Sequence, residues 1–137
     1  MLILIDTNIM LDVLMVRHPF YEESKKIFNF LAKEGRGYFT ANQTTDIFYL
    51  FNKVVKDKKK TKDVLNSVTE LFVVLDILGE DVKNALASPM TDYEDALLAH
   101  CAARSGMDYI VTRNAKDFAA SPLLALTPAE FLELCHG

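Results

Sequence analysis

Apolar positions along the chain change their period several times, and each change marks an element. Leu2–Ile5 form a continuous apolar run, the pattern of a strand buried on both faces of a parallel sheet. Asn8–Met15 then carry Ile9, Leu11, Val13 and Leu14 as a short helix, broken by His18-Pro19. Residues 20–34 read as a second helix with Ile27, Phe28, Phe30 and Leu31 on its apolar side, ended by Gly35 and Gly37. Tyr38–Thr40 make a short strand, and Asn42 is placed to cap the next helix. That helix has the stripe Ile47, Leu50, Phe51, Val54 and Val55, whose helical spacing reads as core rather than as a surface for stacking bases. Past a run of lysines, residues 61–71 look helical, Phe72–Leu75 form an apolar strand, and residues 80–87 form a helix. Thr91-Asp92-Tyr93-Glu94 opens a helix to about Ser105, with Thr91 and Glu94 in capping-box spacing and Gly106 as the stop. Tyr109–Val111 and Leu123–Leu126 are the last two strands, and Thr127-Pro128-Ala129-Glu130 is a capping box with proline at the first helical position.

Strands that alternate with helices predict an α/β fold, with a mostly parallel sheet of about five strands and helices on both faces. A length of 137 residues fits one domain, and a chain that is 50% hydrophobic and 25% charged is globular rather than disordered. Cys101 and Cys135 form no CxxC pair and sit among apolar neighbours, so they read as buried thiols in a reducing compartment. His18, His100 and His136 are scattered without zinc-ligand spacing, and His100, among alanines, reads as a packed or rim side chain. The apolar run before Asp6 is too short for a signal peptide or a membrane span, so a cytoplasmic protein with no membrane partner is expected.

The net charge of −4 argues against a nucleic-acid partner until its distribution is considered. Lys53, Lys56, Lys58, Lys59, Lys60 and Lys62 stand against Asp57 alone, which makes that segment +5 and leaves −9 for the rest. Such a strip can bind RNA phosphates through counterion release, or it can be a solvated connection between two helices.

The acids carry the chemistry. Asp6-Thr7-Asn8 leaves the carboxyl end of the first strand, and Thr112-Arg113-Asn114 with Asp117 leaves the end of the strand at residues 109–111. Ligands of open parallel sheets bind outside the carboxyl ends of strands where the strand order reverses, so the two turns meet there if these strands are neighbours. Helix capping explains Asp6 alone, and turn chemistry explains Asn114 and Asp117 alone; neither explains why both strands end in carboxylates. Asp92, Glu94 and Asp95 suit a helix first turn. Asp95 is nevertheless followed by the small-residue run Ala96-Leu97-Leu98-Ala99, which can pack closely, and Asp92 shares its face. Asp46, one turn into its helix, gains weight only from the other three. Clustered carboxylates need a cation or shared protons, and hard oxygen ligands without His or Cys select Mg²⁺ or Mn²⁺. Such sites suit phosphoryl chemistry.

Together, Asp6-Thr7-Asn8, Asp92-Tyr93-Glu94-Asp95-Ala96-Leu97 and Thr112-Arg113-Asn114-Ala115-Lys116-Asp117-Phe118 resemble the PIN domain, most closely the bacterial VapC-like toxin ribonucleases, over residues 1–137. The resemblance implies a Rossmann-like sheet and metal-dependent cleavage of single-stranded RNA. It also implies metal binding by Asp6, Asp95 and Asp117, with Asp92 beside them, and support from Asn8, Thr112, Asn114 and Glu94. Homodimers are implied, as is an antitoxin that fills the acidic pocket with a basic side chain. The family's second acidic position is often glutamate; here Asp46 occupies it, one methylene shorter, and is expected to reach metal through water. Hydrolysis by an activated water would leave a 3′-hydroxyl and a 5′-phosphate. Three rivals differ in chemistry. A haloacid-dehalogenase-type phosphatase wants an aspartate where Asn8 stands. A receiver-like phosphoacceptor would use Asp76 but lacks the acidic pair after the first strand. A degenerate PIN domain would bind RNA or a partner without cutting.

Overall fold

The computed structural model describes residues 1–136. Its elements run β1 (Ile3–Ile5), α1 (Thr7–Leu14), α2 (Tyr21–Glu34), β2 (Gly37–Thr40), α3 (Gln43–Val55), α4 (Lys58–Leu71), β3 (Val73–Leu75), α5 (Gly79–Ala87), α6 (Tyr93–Arg104), β4 (Tyr109–Val111), β5 (Ala125–Leu126) and α7 (Pro128–His136). The sheet order is β3-β2-β1-β4-β5, and every pairing is parallel. Strand order therefore reverses between β1 and β4, where Ile5 pairs with Val111. The turns after these two strands open side by side at that switch point.

The continuous apolar run of β1 is explained by its two covered faces. Ile3 and Ile5 join Val111 and Phe39 in a core with α1, α2, α4 and α7. Leu4 and Ile110 point the other way, into a second core with α5 and α6. The α6 helix is buried through Ala96, Leu97, Leu98, Ala99, Cys101 and Ala102. Its small side chains let it lie close under the sheet, which carries its first turn to the switch point. No helix among the described residues is long and apolar enough to cross a membrane.

Several local expectations change. Gly35, at φ +66, ends α2 in the left-handed region, but Gly37 lies inside β2. A Cβ at Gly37 would run into the Phe72 ring, so this glycine serves close packing rather than helix termination. Phe72 precedes β3 and is buried against Phe28, whereas Phe30 is at the exposed edge of α2. Leu123–Leu126 contributes only Ala125–Leu126 to the sheet. Asn42 stands at the α3 N-terminus without capping it; its carboxamide oxygen accepts from Thr40 instead. Asp92, not Thr91, caps α6. The Thr127–Glu130 capping box forms in both directions. On α3, Ile47 and Phe51 are core, but Leu50 and Val54 are exposed. The lysine run spans the α3–α4 junction: Lys53 is on α3, Lys56 is its left-handed cap, and Lys58, Lys59, Lys60 and Lys62 lie on α4. Cys101 is buried, Cys135 only half-buried, and His100 half-buried.

Candidate metal and catalytic site

A cavity of about 400 Å³ opens at the switch point. Five acids line it: Asp6 after β1, Asp46 on α3, Glu94 and Asp95 at the start of α6, and Asp117 in the 3-10 turn Ala115–Phe118 that follows β4. Asn8, Asn42, Gln43 and Asn114 add amides, and Tyr49, Leu50, Leu98 and Phe118 an apolar wall.

Asp6 is the deepest acid, only 9% exposed. It caps α1 by accepting from the Thr7 backbone N–H through Oδ1 at 2.8 Å, and its Oδ2 accepts from the Thr112 hydroxyl at 2.7 Å. Thr112, fully buried, also accepts at Oγ1 from the Asn114 N–H at 3.1 Å, so one hydroxyl ties the two turns together. Capping and site-building are thus one geometry rather than alternatives. Burial raises the Asp6 pKa above the ordinary value; the Thr112 and Thr7 hydrogen bonds and the charge of Arg113 oppose the rise, and Asp117 adds to it.

Asp95 is half-buried and is pushed up to about 7, first by burial, then by the charges of Asp92, Asp6, Asp117 and Glu94. Asp6, Asp95 and Asp117 therefore feel one another. Asp46 belongs to a different pair. It is the main reason the Glu94 pKa is raised, ahead of burial and Asp92. Asp6, Asp95 and Asp117 form an inner group, and Glu94, which acts on Asp95 as well, links it to Asp46 at the outer side. Asp92 does not line the cavity; its Oδ1 accepts from the Asp95 N–H at 2.9 Å and acts on the site through Asp95. Thr112 stands behind Asp6. None of Lys53, Lys56, Lys58, Lys59, Lys60 or Lys62 lines the cavity.

Gln43 had no part in the sequence reading. Fully buried, it donates through Nε2 to the Ile5 carbonyl at 2.9 Å and to the Thr7 hydroxyl at 3.1 Å, and accepts from the Thr40 N–H at 2.7 Å. It fastens α3, and with it Asp46, to the ends of β1 and β2. The signal available was its place, three residues beyond the carboxyl end of the strand at 38–40. Arg113 was named in the Thr112–Asn114 motif but given no role. Its guanidinium forks onto the buried Asp12 at 2.9 and 3.2 Å and lies over the Phe20 ring at 3.8 Å, clamping the β4 turn to α1.

The family model for the PIN domain matches residues 2–116. The chain belongs to the PIN domain family. The match includes Asp6, Asp46, Asp95 and Asn114 and ends one residue before Asp117. Solved PIN domain relatives share the fold. A VapBC2 complex from Rickettsia felis, bound to a DNA fragment from its promoter, superposes with a TM-score of 0.69 at 17% identity, over 93% of this chain and 98% of that one. A toxin–antitoxin complex from Klebsiella pneumoniae does so with a TM-score of 0.69 at 23% identity, over 91% and 96%. The Mycobacterium tuberculosis toxin VapC20, which cleaves the sarcin–ricin loop, has a TM-score of 0.64 at 11% identity, over 79% and 86%. No curated protein matches the sequence.

Proposed function

We propose that this PIN domain is a metal-dependent endoribonuclease that cuts single-stranded RNA, and that it is the toxin of a toxin–antitoxin pair. The observation that carries the reading is the convergence of Asp6, Asp95 and Asp117, from three separate elements, on one cavity with no cation among their hydrogen-bond or ion-pair partners in the described residues. Burial, and then the charges of Asp92, Asp6, Asp117 and Glu94, hold the Asp95 pKa up, and a divalent cation relieves that cost. The donors are oxygens only, which suits Mg²⁺ or Mn²⁺. Among the described residues no three His, Cys, Asp or Glu side chains are grouped closely enough to enclose an ion unaided. A hydrated Mg²⁺, which keeps several waters, takes one or two carboxylates directly and meets others through those waters, suits such a cavity.

Asp6, Asp95 and Asp117 would hold the ion, with Asp92 acting on it through Asp95. Bound there, the metal supplies charge neutralisation at the phosphate and a more acidic water. The protein's own contributions are separate. Thr112 and the Thr7 N–H fix the orientation of Asp6. Asn114 and Asn8 line the same cavity as the inner acids, and Asp46 with Glu94, also in its lining, would receive a proton from an attacking water. An antitoxin would close the same cavity with a basic side chain, and a second copy of the chain would form a homodimer. The absence of a tight three-carboxylate group favours one rival, a PIN domain that binds RNA or a partner without cutting. Mn²⁺ titration calorimetry combined with a cleavage assay separates them. The nuclease reading expects Mn²⁺ binding and cleavage products with 5′-phosphates, both lost in Asp6→Asn; no binding at millimolar Mn²⁺ leaves the rival standing.

A further inference from the structure

The α3 helix leaves unusual side chains uncovered. Tyr49 is 65% exposed and Val54 66%, with Leu50 beside them. Tyr49 and Leu50 form part of the wall of the acid cavity. Helical spacing puts Asp46, Tyr49, Leu50 and Lys53 on one face. At 1.5 Å per residue that face runs about 10 Å from the acid to the lysine. Beyond Lys53 the basic strip continues. The Thr61 hydroxyl donates to Asn52 at 2.9 Å, which pins the start of α4 against the last turn of α3. Lys58, Lys59 and Lys60 occupy the first turn of α4, where positive charge opposes the helix dipole. No lysine of this strip forms an ion pair among the described residues.

Acid site, aromatic ring and free cation thus follow one another along a single helix face. We propose that this face is the track of the RNA strand: Tyr49 stacks one base beside the cavity, and Lys53 holds a neighbouring phosphate. The proposal rests on the ribonuclease reading and specifies the path and chemistry of its substrate. A single strand offers alternating anions and flat π-faces, which is the sequence of partners this face presents. A protein docking face would bury Leu50 and Val54, but it gives no reason for uncompensated lysines in a chain of net charge −4.

The test is fluorescence anisotropy with a labelled, unstructured RNA of about 12 nucleotides, in Ca²⁺, over a salt series. Tyr49→Ala should weaken binding roughly ten-fold or more with an unchanged salt slope, and Tyr49→Phe should restore it. Lys53→Ala should lower the magnitude of the slope of log K against log salt by about 0.7, one phosphate contact on a single strand. An abasic site that weakens wild-type binding should have no further effect in Tyr49→Ala. Both side chains are exposed, so thermal melts of the variants should match wild type. Wild-type-like RNA affinity and slope in both variants overturns the track, as does a Tyr49→Ala variant that loses only a protein partner. Mn²⁺-dependent cleavage is read separately: a wild type that cuts while both variants bind normally sinks the track alone. A wild type that binds through Tyr49 and Lys53 but never cuts sinks the ribonuclease reading alone.

Discussion

The buried aspartates of this chain are kept in two opposite ways. Asp12 and Asp81 are fully buried, and each meets an arginine fork: Arg113 on Asp12, with Ser24 donating a further hydrogen bond, and Arg104 on Asp81 at 2.8 and 2.9 Å. The Arg104 guanidinium holds the Asp81 carboxyl below the usual range. Asp6 and Asp95 are treated otherwise. Asp6 receives hydrogen bonds from Thr7 and Thr112 but no arginine fork, and the charges that act on Asp95, those of Asp92, Asp6, Asp117 and Glu94, are acidic. Arg113 follows Thr112 directly, yet its fork turns to Asp12 and reaches Asp6 only as a field. The chain can supply an arginine to a buried acid and withholds one here. Leaving a desolvated carboxylate unpaired costs free energy. The cost makes sense where the partner comes from solution.

The largest effect that could break this contrast is on catalysis. Asp6→Asn or Asp95→Asn should lower Mn²⁺-dependent RNA cleavage by at least about 100-fold, while melting in EDTA stays the same or rises, because repulsion is removed. Full cleavage by both variants would erase the distinction between the two kinds of aspartate. The converse change belongs to the paired acids. Asp81→Ala should cost about 3 kcal/mol in urea unfolding, since it removes the Arg104 fork and the Leu78 N–H bond together; a loss much below 1 kcal/mol would mean the pair is not structural.

A third expectation concerns pH. Asp95 is raised from 3.8 to about 7 in the fold, so the native state keeps a proton that the unfolded chain releases near pH 4. In the metal-free protein, stability from this group is fullest below about pH 4 and is lost as pH rises toward about 7. Asp95→Asn should flatten that part of a melting-temperature profile, and Mn²⁺ should stabilise wild type most above about pH 7. A wild-type profile that rises steadily over this interval would contradict the unpaired state of Asp95. The smallest effect sharpens the role of Thr112. Thr112→Val should weaken Mn²⁺ binding about ten-fold in calorimetry through a misoriented Asp6, and affinity equal to wild type would reduce Thr112 to a packing residue.

The fold was largely legible because its signals are local. The apolar run at Leu2–Ile5, the stop at Gly106 and the capping box at Thr127–Glu130 each specify backbone through nearby atoms. The positions of Asp6 and of the Thr112–Asp117 segment at strand ends were legible for the same reason. Gln43 was not, because its side-chain hydrogen bonds lie inside the fold, one of them to a carbonyl 38 residues away. The exposed face of α3 was misread because Leu50 and Val54 share the period of Ile47 and Phe51. Periodicity gives a stripe, but only the neighbouring elements decide how much of it is covered.

The sequence by itself determined most of the strands and helices, that the first strand lies buried in a mostly parallel sheet, and that acids stand where two strands end. Tertiary structure decided which acids meet. Asp6 and Thr112 are 106 residues apart and touch because β1 and β4 are neighbours in the sheet. Asp46 shares the cavity with the inner three and its charge acts on Glu94, and Asp92 spends its carboxylate on the helix it caps. Strand order and helix approach arise from long-range burial, which no local pattern encodes. Electrostatic coupling depends on distance and burial, so which of these acids act on one another is fixed only once the chain has folded.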